Sequence, residues 1–251
     1  MPDKPKLEEQ ALSEAAELSI SAQLDEVEAL DVAVETDWLK MLQGKADSVS
    51  LTAQGVVVQK SIRLHEMQLY ADGIAIDLLH SAIFGQVELE EPIDVSARLV
   101  LTEQDINRAL NTDYIRQKFQ RPQINVEGRI VTLELQEITV NFPTASKMGI
   151  NATILLHEFG KSEQFGFSGV MCLGTAQQPL LLEKFDCIQG GGISLDLAIA
   201  VLHKAKELLN MPYFQIDGMR LNFKKLDIED GKLTLYTAAH IQQFPDLKVQ
   251  D

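Results

Sequence analysis

The stretch Ile62-Arg63-Leu64-His65-Glu66-Met67-Gln68-Leu69-Tyr70-Ala71-Asp72-Gly73-Ile74-Ala75-Ile76-Asp77-Leu78 alternates apolar and polar residues with the period of a β-strand. Ile62 and Leu64 share one phase and Met67 and Leu69 the other, so the slip at His65-Glu66 predicts a β-bulge. Asp72-Gly73 predicts a hairpin turn, because this dipeptide readily takes positive φ, and Ile74, Ile76 and Leu78 resume the alternation beyond it.

The same period runs outward in both directions. Upstream, Val32 and Val34, then Val49, Leu51, Ala53, Gly55 and Val57, mark strands. Downstream come Val87 and Leu89, then Ile93, Val95, Ala97 and Leu99, with Pro92 as an interruption or edge. Later strands fall at 130–140, 149–156, 166–173 and 180–188. The last two, 219–228 and 232–241, are joined by Glu229-Asp230-Gly231, a second hairpin signal.

Helical period interrupts this sheet pattern in a few places. Leu101 to Leu110 reads as a helix with Thr102 as N-cap and Asp105 closing a capping box, followed by a helical stretch from Asp113 to Phe119 that ends before Pro122. The run Gly190-Gly191-Gly192 leads into the clearest helix, 194–210, with Ser194 as N-cap and Pro212 just past its end. Its apolar residues form two rows, Ala198, Leu202, Ala205 and Leu209 beside Leu197, Val201 and Leu208, a stripe wide enough for burial on more than one side. At the N-terminus, Leu7, Ala11, Ala15, Leu18 and Ala22 give a weak alanine-rich helical face. The expected architecture is an α+β fold in which a long, strongly curved antiparallel sheet wraps around two internal helices. Residues 1–24 form an acidic helical arm, and 25–251 form a single α+β domain.

Composition narrows the function. Of 251 residues, 22 are Lys or Arg and 37 Asp or Glu, a net charge of −15, and residues 1–37 alone carry −9. Such a field repels a phosphate backbone at long range, so nucleic acid is not an expected partner. Aromatic residues are only 6% of the chain, which argues against base-stacking or sugar-stacking platforms. Cys172 and Cys187 are the only cysteines, too few for a disulfide framework or a thiolate metal cluster, although one bridge between neighbouring strands is conceivable. With no apolar leader in Met-Pro-Asp-Lys-Pro-Lys and no apolar run of spanning length, a reduced cytoplasmic protein, peripheral to an internal membrane, is expected.

Polar chemistry is thin. His65, His80, His157, His203 and His240 stand singly, without the spacing that metal ligation needs, so neither a metal nor another cofactor is expected. His157-Glu158 is an adjacent pair, but neighbours on a strand point to opposite faces. Gly166-Phe167-Ser168-Gly169-Val170 superficially suggests a nucleophile elbow, yet Val170 stands where the second glycine is required and no helix follows. A lipid esterase working through Ser168 is therefore the weakest reading, and no enzyme activity is expected. Two features can meet an anion: the glycine turn before a helix, without the lysine of a P-loop, and the basic cluster Arg108, Arg116, Lys118 and Arg121. Both also have plain structural readings, a permissive turn and a solvated face.

The order of these segments, with Leu101-Thr102-Glu103-Gln104-Asp105-Ile106-Asn107 after a strand and Gly-Met-Arg-Leu-Asn-Phe-Lys-Lys-Leu-Asp-Ile-Glu-Asp-Gly-Lys-Leu at 218–233, resembles the LmeA-like phospholipid-binding family over about residues 25–242. That resemblance implies a tubular lipid-binding-like architecture, an elongated apolar cavity, phospholipid binding or transfer, and no catalysis. Exported members begin with a signal or anchor, which the N-terminus here does not resemble.

Two functions follow as expectations. In the first, phospholipid or another acyl lipid packs beside Ile106, Leu110, Leu197, Val201 and Leu208, its head group meets Arg108, Gly191, Gly192 and Ser194, and the protein makes transient membrane contact. In the second, the interior is filled and the protein is an interaction scaffold whose acidic N-terminal helix docks a partner. Alternation alone does not separate a cavity from a packed core, since both need the same pattern.

Overall fold

The computed structural model describes residues 7–22, 24–58, 62–76, 89–112, 123–126, 128–158, 161–174, 180–189, 196, 199, 200, 203, 213–216 and 219–242. In chain order the elements are α1 (Leu7–Ser21), β1 (Ala29–Glu35), α2 (Trp38–Leu42), β2 (Lys45–Val58), β3 (Ile62–Ala75), β4 (Ile93–Thr102), α3 (Glu103–Leu110), β5 (Gln123–Val126), β6 (Arg129–Thr144), β7 (Lys147–Glu158), β8 (Lys161–Leu173), β9 (Leu180–Gln189), β10 (Tyr213–Ile216), β11 (Met219–Glu229) and β12 (Lys232–Ile241). Strands dominate, antiparallel and strongly curled. They form a seven-stranded sheet, β1-β2-β3-β4-β12-β11-β10, and a five-stranded sheet, β5-β6-β7-β8-β9. The chain divides into two units, one of residues 1–101, 213–224 and 234–251, the other of 102–212 and 225–233.

In the first unit, the 62–78 stretch behaves differently from its sequence reading in two respects. Asp72-Gly73 makes no hairpin: β3 runs straight through it, with Asp72 opposite Ser48 and Ile74 opposite Ala46. Gly73 takes φ 64° inside the strand, and this re-phases the side chains so that Leu69, Ala71 and Ile74 all reach the cluster of Leu89, Ile93, Val95, Ala239 and Ile241. The slip at His65-Glu66 is real, but it inserts no extra residue. Gln54 faces Glu66 and Val56 faces Leu64, so Gly55 lies opposite His65 and both strands change phase together. Gly55 makes this possible with φ 60°, a conformation costly for any residue with a Cβ. Ala53, Val56, Leu64 and Met67 consequently share one cluster with Val32 and Leu51. Complete burial of a valine such as Val56 contributes about 1.5–3 kcal/mol relative to exposure.

Helix α1 uses a face other than the expected one. Ala11, Ala15, Leu18 and Ala22 are exposed, Leu18 by 75%. The inward face is Ala16 and Ile20, packed with Leu24 against the Val32 cluster, together with two polar residues. Ser13 Oγ accepts from Val34 N–H at 3.1 Å and Glu17 Oε1 accepts from Val32 N–H at 3.1 Å. β1 is an edge strand, and these bonds satisfy donors that would otherwise remain unpaired.

In the second unit, β6 carries a bulge that its sequence also encodes. Val131, Leu133 and Leu135 share one phase, Ile138 and Val140 the other, and the β6–β7 register shifts between Leu135 and Glu137. The bulge divides the apolar face. Val131 and Leu133 join Ile124, Val126, Ile154, Leu156 and Phe165, while Val140 joins Met148, Met171 and Ile228. The 230–231 hairpin is as expected: Asp230 at φ 51° and Gly231 at φ 70° are the two positive-φ residues of a type I′ turn.

Candidate functional site

The candidate acyl-lining residues Ile106 and Leu110 lie on α3, whose start is fixed as its sequence predicts. Thr102 Oγ1 accepts from Asp105 N–H at 3.1 Å, and Thr102 N–H donates to Asp105 Oδ2 at 3.3 Å, which completes the capping box. Three polar residues at four-residue spacing then fasten the helix to the backbone of β6. Glu103 Oε1 accepts from Phe142 N–H at 2.5 Å. Asn107 accepts from Val140 N–H at 2.7 Å and donates to Val140 C=O at 2.8 Å, while Asn111 donates to Ile138 C=O at 3.4 Å. With this row in place, Ile106 and Leu110, one helical row over, pack against the Val140, Met148, Met171 and Ile228 cluster, joined by Phe142, Ile150, Leu173 and Leu233.

Arg108, the candidate head-group contact, is exposed. It lies two residues from both Ile106 and Leu110, about 200° around the helix, so α3 places the cationic and apolar candidates on opposite faces. Among the described residues, the Val140 cluster meets α3 on its Ile106 and Leu110 side. Leu197, Val201, Leu208, Gly191, Gly192 and Ser194 lie outside the described residues, as do Arg116, Lys118 and Arg121. Of the helix expected at 194–210, the described residues Asp196, Ile199, Ala200 and His203 are helical. Ala200 packs on the cluster around Phe165, whereas Ile199 is 46% exposed.

An aromatic ladder lies beside Ala200 that the sequence reading did not single out. Phe165 is fully buried, Phe167 lies with its ring centroid 5.9 Å away, and Phe185 stacks on Phe167 at 5.4 Å. Its signal was the two-residue spacing of Phe165 and Phe167 on a single strand face.

The structure does bring a serine, a histidine and an acid together, though not at Ser168. Ser168 is paired in register with Asn151 and Asp186 within the sheet. Instead, His157 Nδ1 lies 2.9 Å from Ser162 Oγ and its Nε2 lies 3.1 Å from Glu134 Oε2, while Gln136 donates to Glu134. His157 and Ser162 are directly opposed residues of β7 and β8, and Glu134 is on β6. Among the described residues no helix N-terminus or glycine turn supplies oxyanion donors beside Ser162, and side chains one strand apart on an exposed face form such polar ladders routinely. Cys172 and Cys187 are free and sit opposite Leu181 and Phe167, out of register with each other. No group of His, Cys, Asp or Glu able to hold a metal ion occurs among the described residues. No helix among them is long and apolar enough to cross a membrane.

Curled antiparallel sheet, buried aliphatic clusters divided by a bulge, and helices fastened to strand edges define a mostly β protein with few helices. The particular family follows from comparison: the chain belongs to the LmeA-like phospholipid-binding family, whose sequence model matches residues 6–238. Comparison with curated proteins and with solved structures returned no match.

Proposed function

We propose that this protein binds phospholipid, or another acyl lipid, without covalent chemistry and transfers it between membranes. The observation that carries the reading is the family match over 6–238, which spans both units. The aliphatic faces support it, since an acyl chain placed against such surfaces gains about 0.8 kcal/mol per buried methylene. In this reading residues 25–251 act as one lipid-binding domain behind the acidic helix 1–24. Acyl chains contact Ile106, Leu110, Leu197, Val201 and Leu208, and Arg108, Gly191, Gly192 and Ser194 serve the head group. The lipid then runs over a rim of α3, because Arg108 and Ile106 do not share a face. Two free cysteines accord with a cytoplasmic protein peripheral to an internal membrane.

Native mass spectrometry of the purified protein, followed by solvent extraction, tests the reading. Stoichiometric phospholipid supports it, and a bare protein that takes no lipid from vesicles overturns it. Val201→Asp places a charge in the assigned lining and is expected to abolish lipid retention while circular dichroism stays native. Undiminished lipid in that folded variant removes Val201 from the lining.

A further inference from the structure

One face of β1, β2 and β3 is aliphatic over two consecutive rows. Val32, Leu51 and Leu69 are register partners across the three strands, and Leu30, Ala53 and Met67 are partners in the row beside them. All six belong to one cluster, in which Val32 is 3% exposed and Ala53 1%. Helix α1 lies against this cluster.

The attachment is slight for a helix of 15 residues. None of its side chains from Glu9 to Ser21 is buried, and it lends the cluster Ala16 and Ile20 while Leu18 stands in water. By contrast α3, at 8 residues, buries Asp105 in its capping box and sets Ile106 and Leu110 into a cluster of its own. α1 and β1 contain Glu8, Glu9, Glu14, Glu17, Asp31 and Glu35 and neither Lys nor Arg, so no ion pair joins helix to strand and like charge works against their contact. The side-chain bonds of Ser13 and Glu17 go to an edge strand, so when they open the N–H groups of Val34 and Val32 pass to water and no buried donor is orphaned.

An element held by few buried contacts opens locally at little cost, and a ligand that binds the opened state better draws the population toward it. We infer that this face of β1–β3 is an acyl-binding surface and that α1 is its displaceable cover, lifting from Val32, Leu51 and Ala53 as a lipid chain takes the place of Ala16 and Ile20. The inference rests on the phospholipid reading above. It adds a second acyl contact surface, in the first unit, and a step that controls access to it.

Uptake of NBD-labelled phosphatidylcholine from phosphatidylcholine vesicles, read together with hydrogen–deuterium exchange of the full chain, is the test. On uptake, exchange is expected to quicken through residues 9–21 and at the amides of Val32 and Val34, whose acceptors leave with the helix. Ile20→Ser weakens the cover and is expected to speed uptake about threefold, whereas loss of a lining residue slows it. Ser13→Cys with Val34→Cys, whose bonded parent atoms lie 3.1 Å apart, fastens the helix on oxidation in a Cys172→Ser, Cys187→Ser background. The oxidised form is expected to take up lipid at least about tenfold more slowly than the same protein reduced. Unchanged or slower exchange at Val32 and Val34 in a chain that has taken up lipid overturns the cover and leaves the phospholipid reading intact. Equal uptake by the oxidised and reduced forms, or slower uptake by Ile20→Ser, does the same. A parent chain that takes up no lipid overturns the phospholipid reading and this inference with it.

Discussion

Asn107→Ala tests how α3 is held, and its cost can be worked from the structure. The side chain makes two bonds to one residue, 2.7 Å from Val140 N–H and 2.8 Å to Val140 C=O, and Val140 is 5% exposed. Truncation leaves a buried donor and a buried acceptor. Each unsatisfied group costs about 1–3 kcal/mol, and because Asn107 is itself half-buried, water recovers part of the loss. The expected destabilisation is about 2–3 kcal/mol, a sizeable share of the 5–15 kcal/mol or so that holds a typical domain. With a urea dependence of about 2 kcal/mol per molar, the midpoint falls by about 1 M. Asn107→Asp retains the acceptor but sets a carboxylate oxygen against Val140 C=O, so it is expected to cost at least as much. Gln104→Ala, on the exposed face of α3, is expected to stay within about 0.5 kcal/mol of the parent. Far-UV circular dichroism is the appropriate probe, because the only tryptophan lies on the exposed α2 and is insensitive to the core. Equal midpoints for Asn107→Ala and Gln104→Ala would refute the reasoning.

Gly55→Ala is expected to destabilise the first unit by about 1 kcal/mol or more, because φ 60° is strained for alanine and the new Cβ meets the Glu28 side chain; a thermal midpoint equal to the parent's refutes this. Asp37 has its pKa lowered, chiefly by the backbone N–H of Lys40, with further contributions from the Leu39 N–H and the Lys40 charge against an opposing desolvation. A depressed carboxylate contributes stability that is fully present above its unfolded value, about 3.9, and lost as pH falls through the lower folded value. Trp38 emission is therefore expected to stay constant from neutral pH to about pH 4 and to change below it. Asn caps a helix without titrating, so Asp37→Asn is expected to flatten that acid change, and an identical transition in the variant refutes the assignment.

The strands were legible because alternation is imposed by burial of one sheet face, and it survives in Leu51, Ala53 and Val95 as plainly as in the fold. The phase slip at His65-Glu66 was legible as a slip, but its structural solution was not. At His65-Glu66 the slip is absorbed by Gly55 on the opposing strand, ten positions from His65 in sequence, whereas at Gln136, which the sequence reading passed over, the register shift is a true bulge. A single strand does not carry the register of its partner. Asp72-Gly73 supplied positive φ as expected, yet one positive-φ residue within an extended strand re-phases it and does not reverse it. The family was legible from segment order and two diffuse motifs. The face of α1 was not, because apolarity does not decide it: Ser13 and Glu17 turn inward to reach β1 N–H groups, and that leaves Leu18 in water.

The two inward polar rows follow one geometric rule. In α1, Ser13 and Glu17 meet Val34 and Val32; in α3, Glu103, Asn107 and Asn111 meet Phe142, Val140 and Ile138. In each case the helix number rises by four as the strand number falls by two. Four helical residues advance about 6.0 Å and two strand residues about 6.8 Å, so side chains on such a row reach successive same-side backbone groups of an antiparallel strand. The match drifts by about 0.8 Å per step, which limits the row to two or three bonds. Short helices are thus sufficient to satisfy exposed stretches of strand backbone from the side. A sheet satisfied in this way needs no further strand along those stretches, and the same helix sets its own apolar residues, Ile106 and Leu110 in α3, Ala16 and Ile20 in α1, against the neighbouring cluster.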